Sequence, residues 1–557
     1  MENSKLLIIG IDGATWDIID PLIERGKMKN LGKLITEGAA GPLESTVIPN
    51  TPPAWTAFLT GKNPGKTGIY DFFRRQTGEY NMKVCTSLDN KEPTIFGILS
   101  RAGYKICSVN IPMTYPPERI NGTMISGIPL PPEVRDYCFP LDRLHEIERE
   151  VGEYIVDIDY TRFNAHGGKG KNEFESYQEL LDELLIALRK RQRTILYLLE
   201  TEQADLFTVV YSIVDRVQHY FWRFIDPSHS GYSEEGARRF GHVIENIYEQ
   251  VDLMIGELLG AAPDHNVMVM SDHGFGPYYR DFHLNRWLIE KGYLVLKKIP
   301  RWTLRRTSLG SMLRNIGLCS LSDILPGFIR DYPIPRPSRK SIADYDDIIW
   351  PETRAYSNLM GISLNLKGRE PGGIVTNGAE YDELTSQIMN ELKELRDDKT
   401  GEKIIDAVDV KENMFLGPRV YQAADVYFMI AGLSYNITKR LAVDHMFEDR
   451  TQFGMSGTHR MDGIVIIRSD GVKAGTRLEK TSILDIPSTV LYLMHHPILK
   501  GMDGRVLTEI FEENYCEKYP VEFIEEELIK KAQDEVIYTQ EEENEIRDLL
   551  KGLGYLS

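Results

Sequence analysis

Leu6 to Ile11, Leu206 to Tyr211 and Asn266 to Met270 are short, nearly unbroken apolar runs. A strand covered on both faces has no polar side, so runs of this length predict buried strands of a parallel sheet. Between them the apolar positions recur at helical spacing. Phe240, Val243, Ile244, Ile247, Val251, Met254, Ile255 and Leu258 form one stripe, and Leu180, Leu181, Leu184, Leu185, Leu188, Ile195 and Leu198 form another. Shorter patterns predict helices over Trp16 to Ile23, Leu31 to Ile35, Thr94 to Ala102 and Asp485 to Met494. They predict strands over Lys105 to Asn110, Gly361 to Leu366 and Asp425 to Ile430. Alternating strands and helices imply an α/β fold with a mostly parallel central sheet flanked by helices.

Polar residues interrupt this pattern in informative places. Asp12-Gly13 closes the first run, Asp215 and His219 follow the second, and Ser271-Asp272-His273-Gly274 follows the third. In open α/β sheets chemistry collects at the carboxyl ends of strands. Asp215 and His219, four apart, share one helix face or tight turn. Gly274 lets the backbone pass close to a neighbour. Thr51-Pro52-Pro53-Ala54-Trp55-Thr56 reads as a helix start with Thr51 as its N-cap, because proline suits the first turn. His459 reads as a loop residue before the strand Gly463 to Arg468. Three Asp, three His and one hydroxyl are enough to hold two divalent ions with open positions. Nitrogen and oxygen donors without thiolates suit zinc, with manganese and iron as alternatives.

Composition narrows the picture. The chain has 557 residues, 42% hydrophobic and 27% charged, with a net charge of −18. Such a charge argues against nucleic-acid binding through a general basic surface. Five scattered cysteines without a C-x-x-C, and no signal-like or membrane-length apolar run, predict a reduced cytoplasmic protein without a transmembrane segment. One segment reverses the charge: 297–340 carries ten Lys or Arg against two Asp, interleaved with apolar residues. It reads as an amphipathic lid, with peripheral membrane contact as the alternative. The G-x-x-x-G-K-T string at Gly61 to Thr67 is one residue short of a phosphate loop and follows a helix, so that reading fails.

The motifs Ile9-Gly10-Ile11-Asp12-Gly13, Thr51-Pro52-Pro53-Ala54-Trp55-Thr56, Ser271-Asp272-His273-Gly274, Gly457-Thr458-His459 and Met502-Asp503-Gly504 resemble the type I phosphodiesterase/nucleotide pyrophosphatase group. That group belongs to the alkaline phosphatase superfamily, and the predicted phosphohydrolase/phosphomutase branch is the nearer likeness. The resemblance implies an alkaline-phosphatase-like core with inserted lid or cap segments. It implies one metal on Asp12, Thr51, Asp272 and His273 and a second on Asp215, His219 and His459. Thr51 would attack phosphorus, an amide of the helix N-terminus would help hold the developing charge, and water would hydrolyse the phosphothreonine. Nucleotide pyrophosphatases place an Asn where this chain has Phe72, so Lys62, Lys66 or Arg280 becomes the expected phosphate-oxygen donor. A small-molecule phosphate ester is the implied substrate. A diesterase leads; a phosphomonoesterase or phosphomutase is the alternative, and a non-catalytic binding protein on a hydrolase scaffold ranks last. A sulfatase is disfavoured, since its cysteine-derived nucleophile is absent. The expected divisions are core 1–111, insertion or lid 112–200, core 201–296, basic lid 297–345, core 346–515 and acidic helical tail 516–557. Oligomeric state is not legible.

Overall fold

Alternate side chains of the first strand enter different cores. Leu7, Ile9 and Ile11 pack on one side and Leu6 and Ile8 on the other, which is why the run has no polar position. The computed structural model describes residues 4–76, 78–164, 172–297, 305–308, 333–336, 345–441, 443–450, 454–525 and 537–553. Numbering the central-sheet strands in chain order gives β1 (Leu6–Ile11), β2 (Ala39–Glu44), β3 (Ile106–Ile111), β4 (Gly122–Ser126), β5 (Cys138–Phe139), β6 (Leu206–Tyr211), β7 (Asn266–Met270), β8 (Asp462–Arg468) and β9 (Thr476–Arg477). Their spatial order is β9-β2-β8-β7-β1-β6-β3-β4-β5. The run β7-β1-β6-β3-β4 is parallel, and β8 joins it antiparallel to both β7 and β2.

Helices cover both faces. Trp16–Glu24, Lys29–Glu37, Glu173–Glu202 and Val243–Ala261 contribute to one core. Thr51–Thr60, Ile95–Arg101 and Asp485–Leu493 contribute to the other. The fold is thus α/β with a large, mainly parallel sheet between helical layers. The segment 112–200 departs from the insertion reading, since β4 and β5 belong to the main sheet, at its edge, and Glu173–Glu202 covers the sheet. β4 is five residues long and follows a proline-rich stretch, so no local pattern marks it.

A third core lies within 282–447. It is built on a four-stranded antiparallel sheet, Ala355–Asn358, Gly361–Leu364, Val426–Ile430 and Ile405–Val410, with helix Ala379–Lys393. Beside it, Arg280–His283 pairs with Tyr435–Thr438 and Phe447–Asp449. Within the basic segment, Arg305–Ser308 pairs antiparallel with Pro333–Arg336; the rest of the expected lid lies outside the described residues. The last helix, Gln540–Gly552, opens on the capping box of Thr539 and Glu542. Among the described residues no helix is long and apolar enough to cross a membrane.

Candidate metal and nucleophile site

Four backbone devices deliver the site to the carboxyl ends of β1, β6 and β7. The turn after β1 presents Asp12; Gly13 adopts φ 68, and a Cβ there would lie 2.9 Å from Phe275. After β6, helix Ile213–Phe221 carries Asp215 and His219 one turn apart. After β7, Asp272 and His273 occupy the turn into strand Gly274–Pro277. A Cβ on Gly274 would lie 2.0 Å from the Asp462 carbonyl, so glycine is required there. That strand pairs antiparallel with Gly457–Arg460, setting Phe275 opposite His459. His459 is therefore on a strand and not in a loop. Gly-Thr-His-Arg has no strand signal of its own, and its partner decides.

Thr51 is not the helix cap. Asn50 is, and its Oδ1 accepts from the Thr51 amide at 3.1 Å. Asn is as good a cap as Thr, and Pro52 and Pro53 fit the turn either way. The correction has chemical weight, because the Thr51 hydroxyl is not spent on capping; it lies 3.4 Å from His273 Nε2. The amides of this helix start are engaged within the protein as well. The Thr51 N–H is on Asn50, the Ala54 N–H is on the Asn50 carbonyl, and the two prolines have none.

The seven residues read from the sequence converge. His273 Nε2 lies 3.2 Å from Asp272 Oδ2 and 3.7 Å from Asp12 Oδ1. Asp215 Oδ1 lies 3.3 Å from His219 Nε2 and 3.4 Å from His459 Nε2. Ligand atoms of Asp12, Asp272 and His273 fall within 4.8 Å of one another, as do those of Asp215, His273 and His459. His273 thus stands between the two groups, where the family resemblance assigned it to one. His219 joins the second group through its 3.1 Å approach to His459.

These contacts fit cations. Each imidazole Nδ1 faces a backbone carbonyl: Gly457 for His219, Gly274 for His273 and Pro49 for His459, at 2.9, 3.1 and 2.9 Å. Those carbonyls place the proton on Nδ1 and leave Nε2 as a lone pair. Two lone pairs 3.1 Å apart repel unless a cation lies against both. Both Asp12 oxygens, Asp215 Oδ1 and Asp272 Oδ2 are buried and accept no hydrogen bond, a state that costs several kcal/mol per anion, on the order of the desolvation penalty, without a counter-ion.

The carboxylates differ in their electrostatics. Burial, then the charges of Asp272 and Asp215, pushes Asp12 well above the usual carboxylate range. Burial and Asp215 push Asp272 up to about 7. Burial also raises Asp215, but the facing His219 and the Arg216 guanidinium outweigh it and hold it well below the usual range; with His219 neutral, Arg216 is the lasting positive charge of the two. Burial lowers both His219 and His273, keeping them neutral ligands. The sequence reading missed Arg216. It is buried, donates to Asp215 Oδ2 at 2.5 Å, and is itself anchored on Asp157 at 2.9 Å. Its position next to Asp215 was visible, but Asp157 is 59 residues away in sequence.

The three expected phosphate-oxygen donors are engaged by carboxylates. Lys62 pairs with Glu92, Lys66 with Asp503, and Arg280 with Asp397, Asp398 and Asp449. Phe72 is buried in the core beneath the sheet. The cavity that does adjoin the histidines is lined by Asn50, His219, Thr458, His459 and, from the 282–447 unit, residues including Met429, Leu433 and Lys439.

A doubly wound sheet that gathers a hydroxyl and two Asp/His groups at its carboxyl edge is suited to two-metal hydrolysis of a phosphate ester. A family model, type I phosphodiesterase/nucleotide pyrophosphatase, matches residues 6–462, and the chain belongs to that family of phosphoester hydrolases. No curated protein matches it. Among solved structures it is similar to murine ectonucleotide pyrophosphatase/phosphodiesterase 5, an inactive form in complex with AMP. That similarity has 12% identity and a TM-score of 0.47, covering 91% of this chain and 100% of that one. Phosphonoacetate hydrolase from Sinorhizobium meliloti 1021, in complex with phosphonoformate, is similar at 13% identity and a TM-score of 0.47, covering 88% and 95%.

Proposed function

We propose that the chain is a two-metal phosphodiesterase of the nucleotide-pyrophosphatase type, with Thr51 as its nucleophile. The observation that carries this is the convergence of unsatisfied Asp12, Asp215 and Asp272 oxygens and three Nε2 lone pairs beside the Thr51 hydroxyl. Asp12, Asp272 and His273, with Thr51, would hold one divalent ion, and Asp215, His219 and His459 the other. When bound, such ions supply positive charge that acidifies a nearby hydroxyl and offsets charge on the phosphoryl oxygens.

The protein's own groups do the rest. The helix start fixes Thr51 Oγ1, and Asn50 holds that start in place. Thr51 Oγ1 bonds to phosphorus while the ester P–O bond breaks, and the leaving alcohol departs with its electron pair. The threonine proton and the proton that the alcohol takes up exchange with solvent. Water then attacks the phosphothreonine and restores the hydroxyl. The carbonyls of Gly274, Gly457 and Pro49 keep each histidine in its Nδ1–H form throughout. Arg216 keeps Asp215 anionic and turns Oδ1 toward the histidines.

Metal analysis, followed by assay of bis-p-nitrophenyl phosphate and p-nitrophenyl phosphate with wild type and Thr51→Ala, tests this. Diester turnover that is lost in the variant and on chelation is expected. No turnover of either ester by zinc- or manganese-loaded protein would sink the hydrolase reading.

A further inference from the structure

The cavity beside His219 and His459 has a wall unlike the rest of the site. Ile48, Met360 and Leu433 line it, and all three adopt left-handed backbone conformations, with φ of 61, 61 and 62. That region disfavours branched and bulky side chains and is held only where surrounding structure enforces it; such residues gather at ligand sites. Three of them converge here from three separate segments, one directly before Pro49-Asn50-Thr51. Met429, Ile437 and Met455 extend the apolar wall, and methionine adapts its shape to a guest. The cavity measures about 90 Å³, well below the several hundred Å³, roughly 300 or more, of pockets that enclose a whole drug-sized ligand.

Among the described residues that line this cavity, Lys439 is the one Lys or Arg. Lys439 lines the cavity, with its backbone carbonyl held by Asn285 at 2.7 Å. Its ammonium lies 3.7 Å from Asp71 Oδ2, an ion pair too long for a hydrogen bond. Asp71 is buried and directly precedes Phe72, the position that cannot supply a donor to a phosphoryl oxygen. Asp71 thus steers the Lys439 charge without using up its three N–H donors.

We infer that this cavity is the subsite for the substrate's organic group, that it takes a short alkyl chain, and that Lys439 is a specificity-determining contact to an anionic phosphoryl oxygen. The inference rests on the reading that Thr51 meets a phosphoryl group. It narrows the substrate class to phosphate esters with a small apolar alcohol on this side, and it moves the missing donor from Lys62, Lys66 and Arg280 to Lys439.

Alkyl phosphonates test it without requiring turnover. Methyl-, propyl- and hexylphosphonate are titrated calorimetrically into the zinc-loaded full chain, wild type, Lys439→Met, Lys439→Arg and Met429→Trp. Affinity is expected to rise roughly threefold per methylene from methyl to propyl and then level off as the cavity fills. Lys439→Met should weaken all three ligands by the same factor, roughly tenfold or more, and Lys439→Arg should recover most of that loss. Met429→Trp should erase the chain-length gain while methylphosphonate binds as before. Affinity independent of chain length, Lys439→Met binding as tightly as wild type with zinc content unchanged, or no phosphonate binding at all overturns the subsite. Length-dependent binding without hydrolysis of bis-p-nitrophenyl phosphate would count against the hydrolase reading alone.

Discussion

Asp215 and Asp272 are both fully buried carboxylates, delivered by the strands on either side of β1. Asp215 is held anionic, with one oxygen on Arg216 and the other facing two histidines. Asp272 shares its pocket with Asp12 and has no comparable cation, so burial pushes both acids toward their neutral forms. One half of the site carries its own counter-charge through Arg216 and Asp157. The other half is electrostatically incomplete until an ion arrives. A buried charge without a partner is costly, and metal binding is where that cost is recovered. His273 lies between the halves, since it stands in both groups.

The sharpest break of this comparison is at Thr51, the proposed nucleophile. Thr51→Ala should lower kcat on bis-p-nitrophenyl phosphate on the order of 10³-fold or more, while elemental analysis still finds both ions. Loss of metal together with activity would mean that the halves cannot be separated there. Next come the histidines. His219→Ala and His273→Ala should each cost one ion per chain, from opposite halves, because each imidazole has a single Nε2 lone pair to give. Loss of both ions from either variant would show that the halves do not bind independently.

Stability separates the halves by sign. In metal-free protein, Arg216→Met strands two buried carboxylates and should cost about 3–5 kcal/mol by denaturant unfolding. Asp12→Asn replaces a carboxyl whose charged form is disfavoured there by a neutral amide and should stabilise the metal-free protein at pH 8, by about 1 kcal/mol. Destabilisation by Asp12→Asn would show that the Asp12–Asp272 half is satisfied without an ion.

A graded effect is expected in pH. Asp272 has a raised folded pKa of about 7, so below that pH the metal-free site holds a proton that a cation must displace. Affinity at this half should rise with pH, by tenfold per unit or more below about pH 7, because Asp12 is raised as well and its proton must also leave. Asp215 is depressed and already ionised there, so its half should lack that carboxylate-linked rise. Zinc titrations at several pH values, with proton release measured in two buffers, check both slopes.

Local chemistry was enough for much of this protein. The buried runs of β1, β6 and β7 declare themselves because a strand covered on both faces can hold no polar residue. Asp12, Asp215, Asp272 and His273 stand out because each follows such a run closely. Helix starts at Thr51 and Thr539 were legible from capping and proline rules, though Asn50 and not Thr51 proved to be the first cap. Other features have no local signature. His459 becomes a strand residue only by pairing with Gly274–Pro277, and β4 joins the main sheet only by pairing with β3 and β5. Lys62, Lys66 and Arg280 looked available in sequence because their partners Glu92, Asp503, Asp397, Asp398 and Asp449 are distant along the chain. Arg216 and Lys439 were overlooked for the same reason, since Asp157 and Asp71 give them direction. Sequence thus determined which residues can bind cations and which segments must be buried, because burial and ligand chemistry are properties of single residues and short periods. Tertiary structure decided which charges are already paired and which face the cavity, because Coulomb interactions depend on distances that only the folded chain sets.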